Sequence, residues 1–180
     1  MLVRRRYGSP VRWRKSHVPG WAEVDERRGR LYVLSWSSMG RGSRGNGWVR
    51  DVSATAAVAD LGALVRVALA ESRVNVPMVN FRDPAQSPTT PLLTAAGVKS
   101  WNGYALSMRA CFIDFDNIKT GYLLRPTRNL PREGMIDLAD AQFRVAVSVT
   151  DAELGAAVFT GLNRSHWRPA YAAKHPAKPR

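Results

Sequence analysis

Residues 60–73 and 153–166 can be laid over one another without a gap, and six of the fourteen positions are identical: Leu61/Leu154, Gly62/Gly155, Ala63/Ala156, Val65/Val158, Leu69/Leu162 and Ser72/Ser165. In the first copy Leu61, Leu64, Val65, Ala68 and Leu69 fall at the i, i+3, i+4, i+7, i+8 spacing of one buried helical face. The shared Leu-Gly-Ala is the restrictive part. Glycine costs about 0.8–1 kcal/mol relative to alanine inside a helix, and a glycine kept there points to the close approach of another backbone. A chain built this way folds as two similar halves whose helices pack.

Strand signals precede each helix. Leu31 to Trp36 and Trp48 to Val52 are β-branched and aromatic, and the glycine-rich stretch from Gly40 to Gly47 between them reads as a long flexible hairpin loop. In the second half, residues 106–115, 121–124 and 143–149 read as strands, the last with strict alternation. Thr150-Asp151-Ala152-Glu153 is a capping box that starts a helix running to about Asn163. The first helix spans about 58–72. Thr90 as N-cap, Pro91 at the first helical position and Gly97 beyond the end predict a short connector helix over 91–96. The expectation is an α+β fold of duplicated strand-strand-strand-helix units, with mostly antiparallel sheets, two packed amphipathic helices and the connector. It forms one domain over 28–166, with repeats at 28–73 and 106–166. A basic segment covers 1–27 and a flexible basic tail 167–180.

The net charge of +13 is unevenly placed. Residues 1–50 carry 12 basic and 3 acidic side chains, residues 51–150 carry 10 and 9, and residues 151–180 carry 5 and 2. The excess belongs to one end and not to the repeated core, so charge alone does not select a polyanion partner. No apolar stretch of the length a secretory leader needs follows Arg4-Arg5-Arg6, and the apolar run from Val52 to Ala70 is broken by Asp60 and Arg66. A soluble cytoplasmic protein without a membrane partner is expected.

Catalytic signatures are missing. His17, His166 and His175 lie near the termini without ligand spacing, and the single Cys111 sits in a strand, where a buried structural thiol is expected. Asp114 and Asp116 share a strand face as a candidate carboxylate pair, for which a solvent-facing strand edge is the plainer reading. No metal or cofactor is implied. Six tryptophans remain, several beside arginines, as in Arg12-Trp13-Arg14 and Trp48-Val49-Arg50. Both residue types are enriched at interface hot spots, and both stack on single-stranded nucleic acid.

The order of these motifs is similar to that of the immunity proteins of bacterial contact-dependent growth inhibition systems. The likeness rests on Ser35-Trp36-Ser37-Ser38, Asp60-Leu61-Gly62-Ala63, Gly97-Val98-Lys99-Ser100 leading to Met108-Arg109-Ala110-Cys111, Arg125-Pro126-Thr127-Arg128, and Thr150 to Gly155, spanning Leu31 to Ser165. The sequence departs from the family pattern at Ala56-Ala57-Val58-Ala59, where the family tends to carry a Ser-Asp-Glu-Glu helix start, and at Trp101 and Tyr104. The resemblance implies a non-enzymatic cytoplasmic protein that binds the C-terminal toxin domain of a surface-delivered effector, commonly a nuclease, and covers its active site or substrate path. Family members share no single binding surface, so no contact residue carries over. From composition, the expected contact residues are Arg41, Arg44, Arg125 and Arg128 as anchors for acidic groups of the toxin, with Trp48, Trp101 and Tyr104 as aromatic contacts. The reading from another class is a single-stranded nucleic-acid-binding module using the same basic, tryptophan-bearing surface.

Overall fold

A computed structural model describes residues 20–39, 42–77, 83, 87–105, 108–117, 120–130 and 134–167, side chains 116, 117 and 167 excepted. The arginine run before residue 20, the tail after 167 and Arg41 lie outside the described residues.

In chain order the elements are β1 (Gly20–Arg27), β2 (Arg30–Ser38), β3 (Ser43–Ser53), α1 (Val58–Ala70), α2 (Thr90–Ala95), α3 (Trp101–Ala105), β4 (Met108–Asn117), β5 (Gly121–Leu130), β6 (Gly134–Asp137), a 3-10 turn at Ala139–Ala141, β7 (Phe143–Val145), α4 (Asp151–Arg164) and β8 (His166–Trp167). One sheet runs β3-β2-β1-β4-β5-β6, with β7 and β8 also pairing to β5, and only the short β8 contact is parallel. The protein is α+β and mostly antiparallel. Its two halves meet at the antiparallel β1–β4 pair, and each half ends in a long helix.

Those two helices cross through their repeated glycines. A Cβ on Gly62 would lie 1.8 Å from the carbonyl oxygen of Asp151, the first residue of α4, and a Cβ on Gly155 would lie 1.9 Å from that of Val58, the first residue of α1. The reciprocal contact explains why Leu-Gly-Ala recurs, since any side chain at either place would drive the backbones apart. Below the crossing, Leu61, Val65, Leu69, Leu154, Val158 and Leu162 bury against Ala22, Val24, Leu31, Val33, Ile113 and Leu124 of the sheet. Arg66 ties α1 to both neighbours. Its Nε donates to Asp151 Oδ1 at 2.7 Å, and its terminal nitrogens donate to the Tyr122 hydroxyl and the Val149 carbonyl. The capping box of α4 forms as the sequence indicates, with Glu153 N–H donating to Thr150 Oγ1 at 3.2 Å and Thr150 N–H to Glu153 Oε2 at 2.7 Å.

The opposite face of the sheet carries a smaller layer in which α2 and α3 pack Leu92 and Tyr104 on Tyr32, Leu34, Met108 and Ala110. The connector helix ends at Ala95, with Gly97 at φ +65 just past it.

Several expectations are corrected. Residues 20–27, assigned from sequence to the basic N-terminal segment, form a central strand of the sheet. Its charged residues hide it, because Glu23, Asp25 and Arg27 alternate with Ala22 and Val24 and all are buried. Its turn hides it too: Arg28 and Gly29 both have positive φ, 50 and 75, the geometry of a two-residue hairpin in which Asn-Gly is the usual signal. The loop after β2 is short, since β3 resumes at Ser43 and uses Gly45 and Gly47 within the strand. β7 stops at Val145 where the alternation runs on to Val149, because the chain turns at 147–148, with Val149 N–H donating to the Ala146 carbonyl at 3.4 Å. β5 extends to Leu130, and α3 and β6 had no sequence counterpart.

Candidate functional site

Alternation along a strand places every second residue on one face, so Arg44, Asn46, Trp48 and Arg50 of β3 form a single stripe. β3 is an outer strand of the sheet and Trp48 packs against the core beneath α1. The stripe is held rigidly. The Asn46 side-chain amide sits 2.9 Å from Ser35 Oγ, 3.2 Å from Ser37 Oγ and 3.0 Å from the Glu71 carbonyl, and its Oδ1 accepts from Trp48 N–H at 3.0 Å. This bridges two strands and the end of α1, across the irregular register between Leu34 and Trp36. The exposed Arg50 guanidinium lies over the Trp48 ring, 5.1 Å from its centroid. Arg44 donates to the Pro77 carbonyl at 3.2 Å and leaves its Nε buried without a partner. Arg73 is exposed at the same end, its carbonyl accepting from Ser38 N–H at 2.8 Å.

Among the described residues, arginines without an internal carboxylate occur at this end and also elsewhere, at Arg28, Arg128 and Arg164. Arg30, Arg66, Arg109 and Arg125 each find a carboxylate within the chain, Asp51, Asp151, Glu26 and the pair Asp114 and Asp137 respectively. Among the described residues Arg44, Arg50 and Arg73 have none. Guanidinium groups on this stripe, with Arg50 stacked over Trp48, are chemically suited to bind carboxylate or phosphate oxygens.

The expected contact residues do not form one patch. Arg44 and Trp48 lie on one strand, β3, while Arg41 lies outside the described residues. Trp101 is 37% exposed on α3, with its ring 5.6 Å from that of Tyr104. Tyr104 itself is corrected from a surface contact to an interior residue. It has no exposure, and its hydroxyl donates to Asp25 Oδ2 at 2.8 Å. Arg125 and Arg128 project from opposite faces of β5. Arg125 is held between Asp114 and Asp137 over the Phe112 ring, so its charge is spent inside the chain. Arg128 has its Nε buried without a partner. Asn46 and Arg50 were missed from sequence, although the period of two through Trp48 marks both.

Cys111 is buried, and burial pushes its thiol up to about 12, which leaves it protonated and unreactive. Asp114 is 15% exposed and paired, not solvent-facing. Among the described residues no group of three His, Cys, Asp or Glu side chains could hold a metal ion, and no helix is long and apolar enough to cross a membrane.

Fold and surface together define a class: an α+β protein with one two-faced sheet whose organised exposed groups suit binding to a charged partner. Residues 20–165 match the family model for the CDI immunity protein, and the chain belongs to that family. Two solved structures share the fold. One, a protein of unknown function from Neisseria meningitidis, superposes with a TM-score of 0.71 at 19% identity, covering 83% of this chain and 97% of that one. The other is a CdiA-CT/CdiI toxin and immunity complex from Yersinia pseudotuberculosis, with a TM-score of 0.65 at 20% identity, covering 83% and 98%. Comparison with curated proteins finds no match.

Proposed function

We propose that this immunity protein acts in the cytoplasm by binding the C-terminal toxin domain of its cognate effector, a nuclease, and blocking the toxin's active site or substrate path without chemistry of its own. The observation that carries the reading is the β3 stripe, where Arg44 and Arg50 flank Trp48 in sequence and have no carboxylate partner among the described residues. Nuclease sites that use metal ions are carboxylate clusters, and a rigid array of guanidinium groups fits such a cluster by charge and by bidentate geometry. Arg44, Trp48 and Arg50 are the proposed primary contacts, with Trp101 and Arg128 as separate outlying candidates. Arg125 is set aside because its two aspartates already neutralise it.

The test is reconstitution. The toxin domain encoded beside this protein should cleave tRNA, rRNA or DNA when purified, and a stoichiometric amount of this protein should abolish the cleavage. The same stripe would also suit single-stranded nucleic acid, and salt titration separates the two readings. A nucleic-acid binder holds generic oligonucleotides, with log K falling steeply against log salt. Tight oligonucleotide binding without inhibition of the toxin would replace the immunity mechanism with that one.

A further inference from the structure

β1 places Glu23 and Asp25 two residues apart on the face of the sheet away from α1 and α4, with exposures of 1% and 0%. Each carboxyl group is engaged on one oxygen by a neutral donor. Trp36 Nε1 donates to Glu23 Oε2 at 2.7 Å, and the Tyr104 hydroxyl donates to Asp25 Oδ2 at 2.8 Å. The other two oxygens, Glu23 Oε1 and Asp25 Oδ1, are buried without a donor, while the carboxyl groups are within hydrogen-bonding reach of each other.

No neighbouring charge answers for them. Arg27, next on the same strand face, gives its Nε to the Tyr104 carbonyl at 3.0 Å and a terminal N–H to the Gly103 carbonyl at 3.1 Å. On β2 and β3, Arg30 is paired with Asp51, and Tyr32 packs edge-on to the Tyr104 ring. On β4, β5 and β6, Asp114 and Asp137 are occupied by Arg125. From the covering layer α3 contributes Tyr104, and α2 carries no titratable residue. Two carboxylates left ionised here would be desolvated and would repel each other, whereas one proton between the orphaned oxygens removes the repulsion and satisfies both atoms.

We propose that Glu23 and Asp25 form an interior proton-binding site, in which one proton is shared between Glu23 Oε1 and Asp25 Oδ1 and holds α3 on the sheet through the Asp25–Tyr104 hydrogen bond. Burial raises the proton affinity of both groups, and the Asp25 charge raises that of Glu23 further. The folded chain therefore keeps a proton that the unfolded chain loses near pH 4, the ordinary carboxylate value. The pair's contribution to stability is full below that value and is lost as pH climbs through the raised values of the pair.

Thermal unfolding and infrared spectroscopy of the full chain test this. The wild-type melting temperature should fall by about 5–10 °C between pH 5 and pH 8 more than that of E23Q, in which an amide N–H stands permanently where the proton was. At pH 7 the wild type should show a carboxylic-acid C=O stretch that E23Q lacks, and the wild-type spectrum reports on the proton even if E23Q folds poorly. Absence of the band in the wild type, its survival in E23Q, or parallel melting curves for the two proteins would overturn the proposal.

Discussion

On the face of the sheet that carries α1 and α4, Val24, Val33, Ile113 and Leu124 meet Leu61, Val65, Leu154 and Leu162, and polar bridges lie at the borders, through Arg66 to Asp151, Asn46 to the Glu71 carbonyl and Ser165 to the Ala110 carbonyl. On the other face, the same strand β1 presents Glu23, Asp25 and Arg27, and a shorter layer closes over them through Tyr104. The first face is set by shape. Where its two helices cross, Gly62 and Gly155 leave no room for a side chain. The second face is set by hydrogen-bond satisfaction, so its stability depends on protonation and on single donors. One sheet thus has a core whose crossing helices leave no room at two glycines, and a second whose buried carboxyl groups depend on single donors.

Substitutions can break this contrast, starting with the largest expected effect. Gly62→Ala or Gly155→Ala, which in an ordinary helix would gain stability, should cost about 2–3 kcal/mol or prevent folding, because the new methyl meets a carbonyl oxygen at under 2 Å. Denaturant unfolding measures this, and the loss should not vary with pH. Tyr104→Phe should cost about 1–2 kcal/mol, since a buried Asp25 oxygen loses its donor, and the loss should grow as pH rises. A pH-independent effect there would merge the two faces into one kind of core. Thr150→Ala removes the α4 cap and should cost about 1 kcal/mol at neutral pH, and less in acid once Glu153 is protonated, seen as a lower denaturation midpoint.

How far each face could be read in advance follows from the same contrast. The helix face was legible because its determinants are local and periodic: the 3.6 spacing of Leu61, Leu64, Val65 and Leu69, the capping box at Thr150, and a glycine where alanine would be expected. The other face was not, because its determinants are distant partners. Glu23 and Asp25 look like a solvated charge run until Trp36 and Tyr104 are brought against them, from residues that no spacing rule connects. Tyr104 was taken for a surface aromatic for the same reason. α3, Trp-Asn-Gly-Tyr-Ala, has weak intrinsic helix preference and forms where Tyr104 and Arg27 fasten it. In the candidate site, Arg44 and Trp48 were visible as arginine near tryptophan, but the absence of intramolecular carboxylates, which separates Arg44 and Arg50 from Arg125, is a property of the folded chain alone.

The proposed toxin-facing surface is the β3 stripe. Titrating the purified toxin domain with the Arg44→Glu, Arg50→Glu double variant, at two salt concentrations, tests it most directly. Affinity should fall by at least about tenfold, roughly 1.4 kcal/mol, with weakened salt dependence and retention of a cooperative melting transition. Affinity and salt dependence equal to those of the wild type would contradict it.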